Sequence, residues 1–297
     1  MLIWLVLIPL IAAALIGLCK APARPTALLS ASLTLALGIW ALVSFDGCSS
    51  CWSRFEGMDL QLTLAPALSK VMLLLTILVT FATVLGTTPP QGGEASWYNS
   101  ALLISAGATG AFLSDNIISF FAFHELALIP TFVMIGLYGR GDRRTTAWRA
   151  TLYLGLASMV LLAALLMIGT QAGFTFSGLK DFMASGRELA HAELIGALLI
   201  AGFGTLISLF PFHSWAAPAY ASAPAPVAMM HAGVLKKFGL YGLFMFQPLM
   251  ETGFLPWTNI LLVLLVCNVI WVGYVTVNQK RLDLLLGNSS VMHMGYI

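Results

Sequence analysis

The sequence predicts an all-α membrane protein, a polytopic bundle of about ten transmembrane helices. Three observations predict it. Of the 297 residues, 59% are hydrophobic and only 9% are charged, against about 25% charged in soluble domains. Mean hydropathy is +0.92. Apolar stretches of about twenty residues recur along the chain, the length a helix needs to cross the hydrocarbon layer. No water-soluble core of this length hides so much apolar surface, so the bilayer is the expected solvent.

The first span is Leu2–Cys19. No basic segment precedes it, and Lys20 and Arg24 follow it. That charge order reads as a first transmembrane helix rather than a cleaved signal. The next spans are Thr26–Phe45, Leu64–Thr87, Trp97–Leu113, Ile117–Tyr138 and Trp148–Gln171. Leu194–Leu209, Val227–Phe246 and Trp257–Val277 come after them, and a last span begins near Leu282.

The linkers have their own chemistry. Thr87 to Gly93 is a cluster of helix breakers. Gly139 to Thr145 is a short basic loop. Gly173–Glu193 is longer and holds an expected amphipathic helix around Leu179–Leu189. Pro211–Pro226 contains four prolines and no charge. Backbone that irregular is tolerated in a membrane only when it is buried in protein or lines a wet cavity.

Lys and Arg in the loops set the expected orientation. With the N-terminus outside, the inner loops carry Lys20, Arg24, Arg140, Arg143, Arg144, Arg149, Lys280 and Arg281, and the outer loops carry Arg54, Lys180 and Arg187. This puts the chain in the cell inner membrane with its N-terminus outside. Cys48 and Cys51 then face outward, as loop thiols or a disulfide. Cys19 and Cys267 lie in apolar segments and read as small hydrophobes. A single C-S-S-C pair is too little for a zinc site. The net charge of +2 and the absence of a long basic run give no sign of nucleic-acid binding.

Few ionisable groups remain inside the spans. Glu125 is the one carboxylate deep in a predicted span, and Lys236 and Lys237 are the two deep cations. Lys70 lies about two turns into its span, near enough to the end to snorkel. A charge at mid-bilayer costs about 2.5–3.5 kcal/mol, and such residues mark ion pathways. Adjacent lysines point about 100° apart on a helix, so Lys236 and Lys237 cannot both face Glu125 equally. A carboxylate near a buried lysine couples the two protonation states, which is what a proton relay needs. His231, His213, His124 and His293 are weaker candidates, because a lone histidine is more often a satisfied core residue. No histidine or cysteine spacing suits a metal, and no phosphate-binding, hydrolase or dinucleotide motif occurs.

Four blocks resemble one family, the antiporter-like membrane subunits of respiratory complex I and their relatives. Phe123–Pro130 is similar to its F-W-E-L-x-L-I-P helix, with His124 in place of Trp. Phe210–Trp215 resembles its F-P-F-H-x-W helix break, built here on Pro211 and His213. Ala223 to Gly242 resembles A-P-T-x-V … A-G-V-L-L-K-x-G-x-Y-G, and Ser289–Gly295 resembles S-S-V-x-H-M-G.

The resemblance implies roles by position. Glu125 matches the fifth-helix carboxylate. Lys237 matches the eighth-helix lysine of M-type subunits, Lys236 that of N-type subunits, and His231 a histidine of L-type subunits. The M-type pattern fits most closely. One departure stands out: Leu206 occupies the position where the family usually has a lysine. Lys236 is then a candidate substitute for it.

The implied division is residues 1–96 as N-terminal helices, 97–250 as a first antiporter-like repeat forming a half-channel, and 251–297 as the start of a second inverted repeat. The chain ends there, so the rest is expected from a longer chain or a partner. The implied function is proton translocation in the membrane arm of an NADH–quinone oxidoreductase, through Glu125, Lys237, Lys236, His231 and buried water. Implied partners are other membrane and hydrophilic subunits, the lipid bilayer and protons, with no redox cofactor in this chain. Two other readings fit the same residues: a subunit of a cation/proton antiporter or inorganic-carbon uptake system, and a non-pumping structural subunit.

Overall fold

A computed structural model describes residues 1–44, 49–51, 60–89, 92–252 and 255–296. The expected pairing of Cys48 with Cys51 lies outside these described residues. Among the described residues the fold is all-α apart from one short strand pair, in which β1 (Ser49–Cys51) pairs antiparallel with β2 (Gln61–Thr63). Among the described residues, five helical spans are long and apolar enough to cross a membrane: Ala23–Ser44, Ala67–Gly86, Ile117–Tyr138, Arg143–Ala172 and Trp257–Val277. The chain divides into two units.

The first unit comprises Met1–Met134 and Ala225–Leu235. Its helices are α1 (Ile3–Gly17), α2 (Ala23–Ser44), α3 (Ala67–Gly86), α4 (Glu94–Leu113), most of α5 (Ile117–Tyr138) and α10 (Ala225–Met230). Helix α4 is buried on nearly every side, with α1, α2 and α3 packed around it. That burial explains its lack of an apolar stripe: a helix enclosed all round has no face to distinguish. Its small residues admit α5 closely. A Cβ on Gly107 would stand 2.6 Å from the Phe123 carbonyl oxygen, and one on Gly110 2.5 Å from the Phe123 ring. In lipid, where apolar burial no longer drives association, such close backbone approach supplies the packing.

The second unit comprises Ile135–Pro224 and Lys236–Ile297. It contains α6 (Arg143–Ala172), α7 (Phe176–Ala184), α8 (Ala192–Leu206), α9 (Ala216–Ser222), α11 (Lys237–Met245), α12 (Gln247–Thr252), α13 (Leu255–Cys267), α14 (Gly273–Val277) and α15 (Leu282–His293). Helix α6 begins at Arg143, earlier than the predicted Trp148, because the Asp142 carboxylate caps it by accepting from Thr145 N at 3.3 Å. The amphipathic helix runs from Phe176 rather than Leu179, since the Thr175 hydroxyl accepts from Gly178 N at 3.0 Å. Helix α11 meets α8 through Gly239 and Gly242, where an added Cβ would strike Ile207 and the Phe203 ring.

Side chains are distributed as a membrane demands. Val43, Leu156, Ile270 and Val277 point outward, at 82%, 69%, 68% and 84% exposure. Thr76, Thr109 and Ser158 are fully buried. Thr76 donates to the Met72 carbonyl at 2.8 Å, satisfying its hydroxyl inside its own helix.

Three local expectations change. Lys70 sits in the first turn of α3 rather than two turns in, because the chain is extended through β2 and Pro66 before the helix starts at Ala67. The segment from Pro211 to Pro226 is less irregular than its four prolines suggest, and α9 occupies its middle. The predicted spans Val227–Phe246 and Trp257–Val277 each contain a widened π-helical turn, His231–Leu235 and Asn268–Val272.

Candidate functional site

Glu125 lies midway along α5. The Asn116 side chain starts that helix, accepting from Ile118 N at 2.9 Å and Ser119 N at 3.0 Å. Beside it, His124 is 1% exposed, and its Nδ1 stands 3.3 Å from the Glu125 carboxylate oxygen Oε1. The imidazole stacks on Phe120, with centroids 6.5 Å apart at 18°. The Glu125 side chain as a whole is 30% exposed, so one carboxylate oxygen faces the histidine while the group keeps an open side. Pro130 lacks the N–H that would reach the Leu126 carbonyl, which leaves the backbone next to the glutamate more polar than a regular helix.

In the second unit, α8 ends at Leu206, and the chain turns through Ser208 in the left-handed region at φ 62°. The Phe210–Pro211 peptide is cis, and a 3-10 turn follows over Phe212–Trp215. The break is pinned from several sides. Trp215 Nε1 donates to the Thr205 carbonyl at 3.1 Å. The Ser214 hydroxyl bonds the Tyr153 hydroxyl at 3.0 Å. His213 is partly buried and stacks on Phe210 at 5.7 Å. Leu206 packs against the Gly239 backbone, where a Cβ would stand 3.0 Å from its own. An apolar contact therefore fills the position where the resembled family places a lysine.

His231 opens a π turn in the first unit and is 4% exposed. Such turns are rare and concentrate at functional sites. The chain passes to the second unit at Lys236. The two lysines differ sharply. Lys236 is 1% exposed, and its ammonium stands 5.3 Å from the centre of the Tyr220 ring, with no hydrogen-bond acceptor among the described residues. Lys237 is only half-buried. Of the expected relay residues, then, Glu125 and His231 belong to the first unit, and Lys236 and Lys237 to the second. His293 ends α15, where its Nδ1 lies 2.6 Å from the Ser289 carbonyl oxygen. At the other end of α15, outside the spans, Arg281 pairs with Asp283 at 2.6 Å, which pushes its guanidinium pKa up.

Sequence reasoning passed over two residues. Asn268 is fully buried in the second π turn. Its Oδ1 accepts from Phe210 N at 3.1 Å, and its Nδ2 donates to the Val291 carbonyl at 2.9 Å. The signal was present, since it is the lone amide within an otherwise apolar stretch from Ile260 to Val275. Tyr220 carries the ring under Lys236 and lies in the proline-rich segment, where nothing in the spacing marks it. Among the described residues, no group of three or more His, Cys, Asp or Glu converges as metal ligands.

Residues 114–297 match the family described as NADH:quinone oxidoreductase/Mrp antiporter, TM. The chain is 32% identical over 237 residues to NAD(P)H-quinone oxidoreductase chain 4 2 of Microcystis aeruginosa, covering 77% of this chain and 42% of the relative. A Synechocystis relative, NAD(P)H-quinone oxidoreductase chain 4-2, is 30% identical over 231 residues, with 77% and 41% coverage. The chain thus spans less than half the length of these curated relatives. A chain of respiratory complex I from Thermus thermophilus superposes with a TM-score of 0.85 at 25% identity, covering 99% of this chain and 63% of that one. A chain of the Mrp complex from Dietzia sp. superposes with a TM-score of 0.83 at 23% identity, covering 99% and 33%, which is a likeness of fold.

Proposed function

This chain belongs to the NADH:quinone oxidoreductase/Mrp antiporter transmembrane family, and from that premise we propose that it forms a proton-translocating half-channel in the membrane arm of an NAD(P)H–quinone oxidoreductase. The observation that carries the reading is Lys236, an ammonium group 1% exposed inside an apolar unit. A cation kept in such a place against its desolvation cost serves ion movement far more often than packing. The likeness to the chain 4 relatives favours this reading over a cation/proton antiporter.

Residues 97–250 form the half-channel and 251–297 begin a second repeat. Glu125 accepts and releases the proton that enters, with His124 Nδ1 3.3 Å from its carboxylate. Lys237 and Lys236 take up and release a proton in turn, and His231 is a further member of the relay. Each transfer changes the charge that the next group feels, and buried water carries the proton across the gaps. Redox centres belong to partner subunits, so this chain contributes no electron-transfer step. The N-terminus faces the outside of the inner membrane.

The test is extraction in a mild detergent, followed by mass spectrometry of what co-purifies. Flavin and iron–sulfur subunits in the complex are the expected result. A stable complex without them would overturn the oxidoreductase assignment and return the chain to the antiporter reading.

A further inference from the structure

Resting on the translocation reading above, we propose that Tyr220 is a positioning residue for it, with its ring face holding the charge of Lys236 and α15 holding the ring.

Three observations converge within the second unit. Lys236 Nζ stands 5.3 Å from the Tyr220 ring centre and has no hydrogen-bond acceptor among the described residues. A cation over an aromatic face is attracted by the ring quadrupole, most strongly where water is excluded. Both side chains are enclosed, Lys236 at 1% and Tyr220 at 9% exposure. The ring is itself fixed. Gly287 on α15 lets that helix rest on α9, since a Cβ there would stand 3.0 Å from Ala217 Cα and 3.3 Å from Tyr220 Cβ.

The charged groups that act on Lys236 are few. Lys237, next in the chain, contributes a like charge. Tyr220 is the titratable group facing it from α9. With one repelling neighbour and no acceptor among the described residues, the ring is the interaction that favours the ammonium form. Tyr220 therefore sets the pH range over which Lys236 carries a proton, and it transfers no proton itself.

The test uses the assembled complex in native membrane vesicles, with proton translocation measured against pH. Position 220 carries Phe and then Phe of increasing fluorination, introduced by nonsense suppression. Shape stays nearly constant while the negative face of the ring fades. Tyr220→Phe is expected to keep the wild-type profile. Successive fluorination is expected to move its alkaline limb toward acid, by about one pH unit in total for an interaction of this class. A limb that stays put across the series would overturn the inference. Lys236→Met separates the two claims. If it abolishes translocation while the fluorinated series is flat, the inference about Tyr220 fails alone. If it leaves translocation intact, the role of Lys236 fails and the inference falls with it.

Discussion

The side-chain oxygen of Asn268 accepts the backbone N–H of Phe210 at 3.1 Å, joining a π turn to the broken end of another helix 58 positions earlier. The same amide donates to the Val291 carbonyl on α15 at 2.9 Å. One buried side chain thus satisfies the Phe210 N–H at the helix break and adds a second donor to a carbonyl that already accepts from Met294 N at 3.1 Å. Asn268→Leu leaves the Phe210 N–H unmatched, at a cost of about 1–3 kcal/mol. The expected outcome is a lower unfolding midpoint in detergent. Asn268→Asp keeps the acceptor for Phe210 and should fall between Asn268→Leu and the wild type.

Glu125→Gln keeps the shape of the carboxylate and removes its charge. Translocation in vesicles is expected to fall roughly tenfold or more, equivalent to about 1.4 kcal/mol or more of barrier, while the complex stays assembled on native gels. Lys237→Ala is expected to do the same. Unchanged pumping in both would remove the relay assignment.

Lys236→Leu separates stability from function. Removing a buried ammonium that has no acceptor among the described residues relieves a desolvation penalty. The midpoint should rise by roughly 2–4 °C for each kcal/mol regained. If Lys236 has taken over the role lost at Leu206, the same variant loses translocation. A variant that is more stable and fully active would show that it has not.

Gly107→Ala tests the seating of α5. The new methyl would stand 2.6 Å from the Phe123 carbonyl oxygen, a backbone atom that cannot swing aside. Overpacking of this kind costs about 1–3 kcal/mol and should shift Glu125 enough to reduce translocation. Gly155→Ala is the control. A Cβ there meets nothing within 4 Å, so thermal unfolding is expected to be unchanged or to occur later by up to about 1 kcal/mol of helix propensity.

The helices were legible because the bilayer makes hydropathy a direct readout of span length. Ile117–Tyr138 was predicted at both ends. Ends set by a cap were not, as with Asp142 before α6 and Thr175 before α7, since a cap acts through one side-chain contact that hydropathy does not register. The π turns at His231 and Asn268 were also hidden. An inserted residue leaves composition unchanged and alters only the register that follows. For the site, the sequence named Glu125 and both lysines, because charge in an apolar run is conspicuous. It could not rank Lys236 against Lys237, whose burial depends on that hidden register. Nor could it find Tyr220, whose part depends on which helix lies beneath its ring.

The turn at His231–Leu235 immediately precedes Lys236. Were it to tighten to ordinary α geometry, everything after it would rotate by about one residue's worth, ~100°. Lys236 would then leave its aromatic shelter for the azimuth that Lys237 holds now. The paired lysines can thus be seen as two settings of one dial, and the length of a single loop of backbone selects between them.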